Sequence, residues 1–279
     1  PDGSSMGPGE PGGRAVGAVA TQLEHQIHER LQRVWERIRA ACARAGRDPA
    51  QVRVAGITKG FPAEVAAAAV RAGLRDLGEN RVQEARAKIP QVQALAGGFS
   101  VRWHLVGHLQ RNKARWAVQL FDWVHSVDSP ELAHELSRRA TSAARTLKVL
   151  VEVNVAGEPT KHGATPERAG QLVELASYLP GLHVRGLMTV APQSRDPKEV
   201  RWVFRELREL RDRIRLERGL ELPELSMGMT EDYEVAVEEG ATLVRLGRAL
   251  FGERPNAAQQ EHPGQGPGPT GGGTTQQRG

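Results

Sequence analysis

The chain has 279 residues, 39% hydrophobic and 25% charged, a balance that excludes a disordered or fibrous protein and permits a sizeable core. Lys and Arg number 38 against 33 Asp and Glu, but they alternate with acids, as in Glu206-Leu207-Arg208-Glu209-Leu210-Arg211-Asp212-Arg213, and aromatic residues are only 4%, so nucleic acid is not the expected partner. The single cysteine, Cys42, rules out an internal disulfide; with no apolar run long enough to span a membrane and no signal-peptide layout, the expectation is a cytoplasmic protein.

Residues 1–18 and 255–279 are rich in Gly, Pro, Ser, Gln and Thr and read as disordered tails around one domain at 19–254. That domain opens with a helix, because Leu23, Ile27, Leu31, Val34, Ile38 and Cys42 recur at spacings of three and four. Gly46 and Pro49 end it. Short β-branched runs then alternate with helical stretches. The strands are expected at 52–58, 74–79, 101–107, 121–127, 147–155, 184–190, 224–228 and 242–247. Helical patterns fall between them, among others at 62–72, 110–119, 130–144, 166–178, 198–218 and 231–239. Eight strands, each followed by a helix or turn, predict a single (β/α)8 barrel preceded by an extra helix. A doubly wound open sheet is the rival, but Thr58-Lys59-Gly60-Phe61-Pro62 after the first strand is no dinucleotide fingerprint.

Chemistry in such a barrel gathers at the C-terminal ends of the strands. Lys59 ends the first strand and has two readings on pattern alone. It either projects into the mouth, where desolvation would make it a nucleophile for an aldehyde, or bends back to solvent. Strands seven and eight end in Ser226-Met227-Gly228-Met229 and Arg245-Leu246-Gly247-Arg248. That corner offers a hydroxyl, small residues and positive charge to a phosphate, although the glycines could equally serve tight turns. A Schiff-base lysine opposite a phosphate cradle is what pyridoxal 5′-phosphate (PLP) requires at its two ends. Arg245 shares a strand face with Gly247 and can reach the pyridine nitrogen, or else pair with an acid such as Glu152. Facing an arginine, the ring nitrogen stays unprotonated and the ring is a weak electron sink. His104 and His108 occupy a strand and its following loop, while His125 and His162 read as residues of other loops. No cysteine or paired carboxylate joins them, so hydrogen-bonding or lid roles are expected and no metal site.

These pieces match a family. Gly56-Ile57-Thr58-Lys59, Gly78-Glu79-Asn80-Arg81-Val82-Gln83-Glu84, the run Trp103-His104-Leu105-Val106-Gly107-His108-Leu109-Gln110-Arg111-Asn112-Lys113 and His125-Ser126-Val127-Asp128 come first. Lys161-His162-Gly163, Gly186-Leu187-Met188, Ser226-Met227-Gly228-Met229 with Asp232 and Glu234, Val244-Arg245-Leu246-Gly247 and Phe251-Gly252 complete the series. In this order the chain resembles the pyridoxal phosphate homeostasis proteins, whose fold is like the N-terminal barrel of alanine racemase. The resemblance implies that Lys59 carries PLP as a Schiff base, that Ser226, Gly228, Gly247 and Arg248 surround its phosphate, that Arg245 faces the ring nitrogen and that Asn80 lies near the cofactor. Departures exist. Thr58 stands where the family usually has Ser, Gly60-Phe61 replace Thr-Lys, and Arg248 replaces a small hydroxyl residue.

The function so implied is a PLP-binding carrier or buffer without catalytic turnover, a monomer that exchanges the cofactor transiently with apoenzymes. An amino-acid racemase is the first alternative. It needs an acid/base on the opposite cofactor face, and Tyr178 and Tyr233 both fall in helical stretches with no β domain expected after residue 252. A cofactor-free Schiff-base aldolase acting on sugar phosphates is the second.

Overall fold

The computed structural model describes residues 12–254, with side chains from residue 20 onward. Eight parallel strands pair in sequence order and close into a barrel: β1 (Arg53–Ile57), β2 (Asp76–Glu79), β3 (Arg102–Leu105), β4 (Trp123–Val127), β5 (Leu147–Glu152), β6 (Leu182–Met188), β7 (Glu224–Ser226) and β8 (Leu243–Leu246). All eight expected strands form, each shorter than or shifted from its apolar run. The ends of the runs turn into the loops that carry the mouth residues. Helices follow as α2 (Ala63–Arg71), α3 (Val82–Leu95), α4 (Ala114–Leu120), α5 (Pro130–Ser142), α6 (Pro166–Tyr178), α7 (Arg201–Arg218), α8 (Tyr233–Glu238) and α9 (Arg248–Phe251). The first helix, α1, spans Gly12–Ala45, so it starts ahead of the boundary expected at residue 18. The expected tails at 1–11 and 255–279 lie outside the described residues.

Local chemistry sets these boundaries. The Ser129 hydroxyl accepts from the Leu132 N–H at the start of α5, where Pro130 supplies a preset φ. Gly219 closes α7 with φ +62°, the left-handed conformation that costs glycine little. Val203, Phe204, Leu207, Leu210 and Ile214 form the buried stripe of α7, at the three- and four-residue spacing of one helix face. The main core lies between the sheet and this ring of helices. α1 packs its Ile27, Leu31, Val34 and Ile38 face against α2, α8 and α9, covering the seam where β8 meets β1. The barrel lumen is different. Its apolar part is the small cluster Trp123, Leu150 and Met188, and much of the rest is polar.

Candidate functional site

All strands are parallel, so their C-terminal ends open on one face. A cavity of about 930 Å³ occupies part of that mouth. Lys59, Asn80, Arg245, Gly247 and Arg248 all line it, so residues from the ends of β1, β2 and β8 converge. Lys59 is half-buried and lines the cavity. Ser226 and Gly228 stand behind that lining. Ser226 is fully buried. Gly228 has φ +97°, and a Cβ there would lie 2.7 Å from the Ala236 Cβ and 3.0 Å from the Tyr233 Cα, so this glycine lets α8 approach the end of β7.

Lys59 is held by a cluster that sequence reasoning missed. Thr58, Lys59, Gly60 and Phe61 form a tight turn closed by the Phe61 N–H on the Thr58 carbonyl at 3.0 Å, with Gly60 at φ +75°. The Lys88 ammonium, from α3, donates to the Thr58 carbonyl at 2.7 Å, to Glu79 Oε1 at 2.6 Å and to Glu84 Oε1 at 2.9 Å. The Thr58 hydroxyl donates to the same Glu79 oxygen at 2.5 Å, and the Gly60 N–H donates to Glu84 at 2.7 Å. Both neighbours of Lys59 are therefore clamped while its own side chain stays free to face the cavity. Burial pushes the Glu79 carboxyl above its ordinary range, against the pull of Lys88 and Thr58. Burial acts on Glu84 too, but the Lys88 and Gly60 hydrogen bonds outweigh it and hold that carboxyl low. The Glu84–Lys88 spacing of four is a helix-pair signal. The loss of apolar periodicity that it causes in α3 hides the cluster from a pattern search.

Arg245 is positioned by a second network that crosses the lumen. Its Nη1 donates to Ser226 Oγ at 2.6 Å and its Nη2 to the Thr189 carbonyl at 2.9 Å, rather than to Glu152. Ser226 Oγ lies 2.9 Å from His125 Nδ1, His125 Nε2 lies 2.9 Å from His104 Nδ1, and His104 Nε2 lies 2.8 Å from Asp76 Oδ1. One proton arrangement satisfies every link. His104 donates to the carboxylate and accepts from His125, which accepts the Ser226 hydroxyl proton, leaving that oxygen to accept from Arg245. Both histidines are then neutral, in keeping with burial, which pushes their pKa values down. Burial raises Asp76, but Arg102 and His104 outweigh it and hold its carboxyl well below the usual range. Burial also lowers the Arg245 guanidinium to about 10. His125 is thus a residue of β4 and not of a loop: two positions after Trp123, it shares that side chain's inward face. β4 and β7 are not neighbours in the barrel, so their His125–Ser226 contact can form only across the lumen.

Further ionisable groups lie at the ends of β3, β4 and β5 and in the loops that follow them. Burial, reinforced by Asp128 and opposed by Arg245, raises the Glu152 carboxyl to about 7. His108 and His162, from different loops, stack with ring centroids 3.7 Å apart and planes 10° apart. Asp128 Oδ2 lies 3.6 Å from His108 Nδ1. The sequence reading placed these residues in separate loops with no shared role, and the fold brings them together.

Comparison with known proteins bears on this arrangement. The family model for the N-terminal domain of alanine racemase matches residues 29–255. The pyridoxal phosphate homeostasis protein of Aquifex aeolicus is 46% identical over 226 residues, covering 81% of this chain and 97% of that protein. Its Pseudomonas aeruginosa counterpart is 42% identical over 228 residues, with 82% and 96% covered. Among solved structures, PipY of Synechococcus elongatus with PLP bound is 38% identical at a TM-score of 0.71, covering 81% of this chain and 100% of PipY. An alanine racemase of Clostridium difficile is 16% identical at a TM-score of 0.65 and shares the barrel fold alone.

Proposed function

The chain belongs to the pyridoxal phosphate homeostasis protein family, and from that membership we propose that it binds PLP and acts as a carrier and buffer of the cofactor. The observation that carries this reading is the placement of Lys59 and Arg245 on one cavity of about 930 Å³, beside Gly247 and Arg248. The cavity residues fit the group. A Cβ on Gly247 would meet nothing closer than the Ile57 carbonyl at 3.6 Å, so protein packing does not demand glycine there and the open space faces the cavity. When bound, PLP would supply a reactive aldehyde, and the Lys59 amine would be the group that holds it. Every other contribution is the protein's. The Thr58–Lys88–Glu79 cluster orients Lys59, and the Gly247–Arg248 corner would receive the phosphate through backbone N–H groups, while the Arg248 guanidinium pairs with Glu231. Asn80 borders the cofactor, and Gly228 admits the close packing of α8 behind the phosphate corner. Ser226 holds the Arg245 guanidinium in place; facing the ring nitrogen, a group that only donates would disfavour protonation there and restrain carbanion chemistry.

A holding role without turnover is favoured by what surrounds the cavity. Tyr178 is 80% exposed on α6, and Tyr233 is buried behind Gly228. Neither supplies the second acid/base a racemase needs. Among the described residues no helix is long and apolar enough to cross a membrane. The reading is completed by a cytoplasmic monomer that passes PLP transiently to apoenzymes. The test is the absorbance spectrum of native protein and Lys59→Ala after incubation with PLP and desalting. A visible band retained by the native protein alone supports the reading, and no retained band in either sinks it. Turnover of amino-acid enantiomers by the loaded protein would overturn the carrier assignment in favour of a racemase.

A further inference from the structure

We propose that His108, Asp128 and His162 form a binding site for a divalent transition-metal ion of the zinc class at the rim of the barrel mouth. The three residues come from three consecutive βα connections. His108 lies three residues beyond β3, Asp128 directly follows β4, and His162 sits in the loop between β5 and α6. Their ligand atoms all lie within 4.8 Å of one another. Two imidazoles and one carboxylate, with a further position left to water, make the donor set of an open zinc-type site; the absence of thiolate and the single carboxylate disfavour Cu(I) and Ca²⁺.

The surroundings hold the ligands without consuming them. The loop bearing His162 is fastened back onto β5 by the Ala164 N–H on the Glu152 carbonyl at 2.8 Å and the Asn154 N–H on the Ala164 carbonyl at 2.9 Å. The Asn154 side chain ties the same loop to Glu158 through two further hydrogen bonds. Gly163 has φ +116°, and a Cβ there would lie 2.7 Å from the Asn154 nitrogen, so only glycine lets the loop lie this close to β5. Such outer contacts are how proteins fix metal ligands in place. Asp128 makes no direct hydrogen bond to His108 across the 3.6 Å that separates them.

Tetrahedral coordination at about 2.0–2.1 Å places ligand atoms about 3.3 Å apart. The present spacing therefore contracts on binding, and the two rings tilt out of their stack. Both histidines are exposed, so their side-chain torsions make this adjustment without moving a strand.

The assignment stands apart from the cofactor reading, and its test keeps the two separable. Untagged full-length protein, stripped with chelator and free of PLP, is titrated with Zn²⁺ by calorimetry. His108→Ala/His162→Ala, Asp128→Asn and Lys59→Ala are titrated beside it. The expected result is one tight equivalent in the native protein and in Lys59→Ala. Affinity should fall roughly 100-fold or more in the double variant and roughly 10-fold in Asp128→Asn. Metal-free melts show whether each variant is folded, and a Co²⁺ titration reports nitrogen ligation through ligand-field bands that the double variant lacks. Equal Zn²⁺ affinity in native protein and double variant overturns the site. Loss of the tight equivalent in Lys59→Ala would move the ion to the cofactor lysine and overturn it as well.

Discussion

Replacing Lys88 by Met keeps the length and apolar stem of the side chain but removes the charge that three acceptors share. Glu79 is fully buried beside it, at 2.6 Å. Breaking a buried pair typically costs about 3–5 kcal/mol, because the surviving charge is left without a partner. Glu79 has an escape, which is to take up a proton. From an ordinary carboxyl value of 4.5, protonation at pH 7 costs about 3.4 kcal/mol at 1.36 kcal/mol per unit, which caps the electrostatic part. The expected loss is about 3–4 kcal/mol at pH 7, or a melting point lower by roughly 6–16 °C for a domain of this size. At pH 5 the same proton costs only about 0.7 kcal/mol, so most of the deficit disappears. The sign follows from linkage: the variant's folded state binds a proton that its unfolded state releases, so its stability falls as pH rises above about 4.5. Urea unfolding of both proteins at pH 5 and pH 7.5 measures this. A deficit under about 0.5 kcal/mol at the higher pH, with no difference between the two pH values, would refute the reasoning.

Three other changes test other parts of the structure. Ser226→Ala removes an acceptor from the buried Arg245 guanidinium; stability should fall by about 1.5–3 kcal/mol in urea, with weaker retention of PLP after desalting. Gly186→Ala places a Cβ 1.8 Å from the Glu224 carbonyl across the β6–β7 ladder; a loss of at least about 3 kcal/mol, or no folded protein on expression, is expected. His104 and His125 are neutral in the fold with pKa values below the ordinary 6.5, burial being the chief cause. Below that pH the unfolded chain takes up protons the folded one refuses, so stability should fall with acid by up to about 2.7 kcal/mol per pH unit for the two. Replacing both by Asn should flatten that slope, and an unchanged slope would place the acid sensitivity elsewhere.

By itself the sequence determined the barrel and which residues reach its mouth. Eight β-branched runs at regular spacing specify eight strands, because burial on one face and helix cover on the other leave few alternatives. Lys59, Asn80, Arg245, Gly247 and Arg248 were legible because a parallel barrel delivers every strand end to one face, whatever the details of packing. Only the tertiary structure decided what lies behind them. α3 turns Lys88 under the Lys59 turn, and the closed lumen brings the Ser226 hydroxyl between His125 and Arg245. His125 looked like a loop residue, yet its place in β4 joins a chain reaching from β2 to β8. The His108–Asp128–His162 cluster depends on where two loops fold back onto neighbouring strand ends. Periodicity reports which face of an element is apolar. It carries no information on which polar side chains from distant elements meet inside a closed barrel, because those contacts are set by closure and not by spacing along the chain.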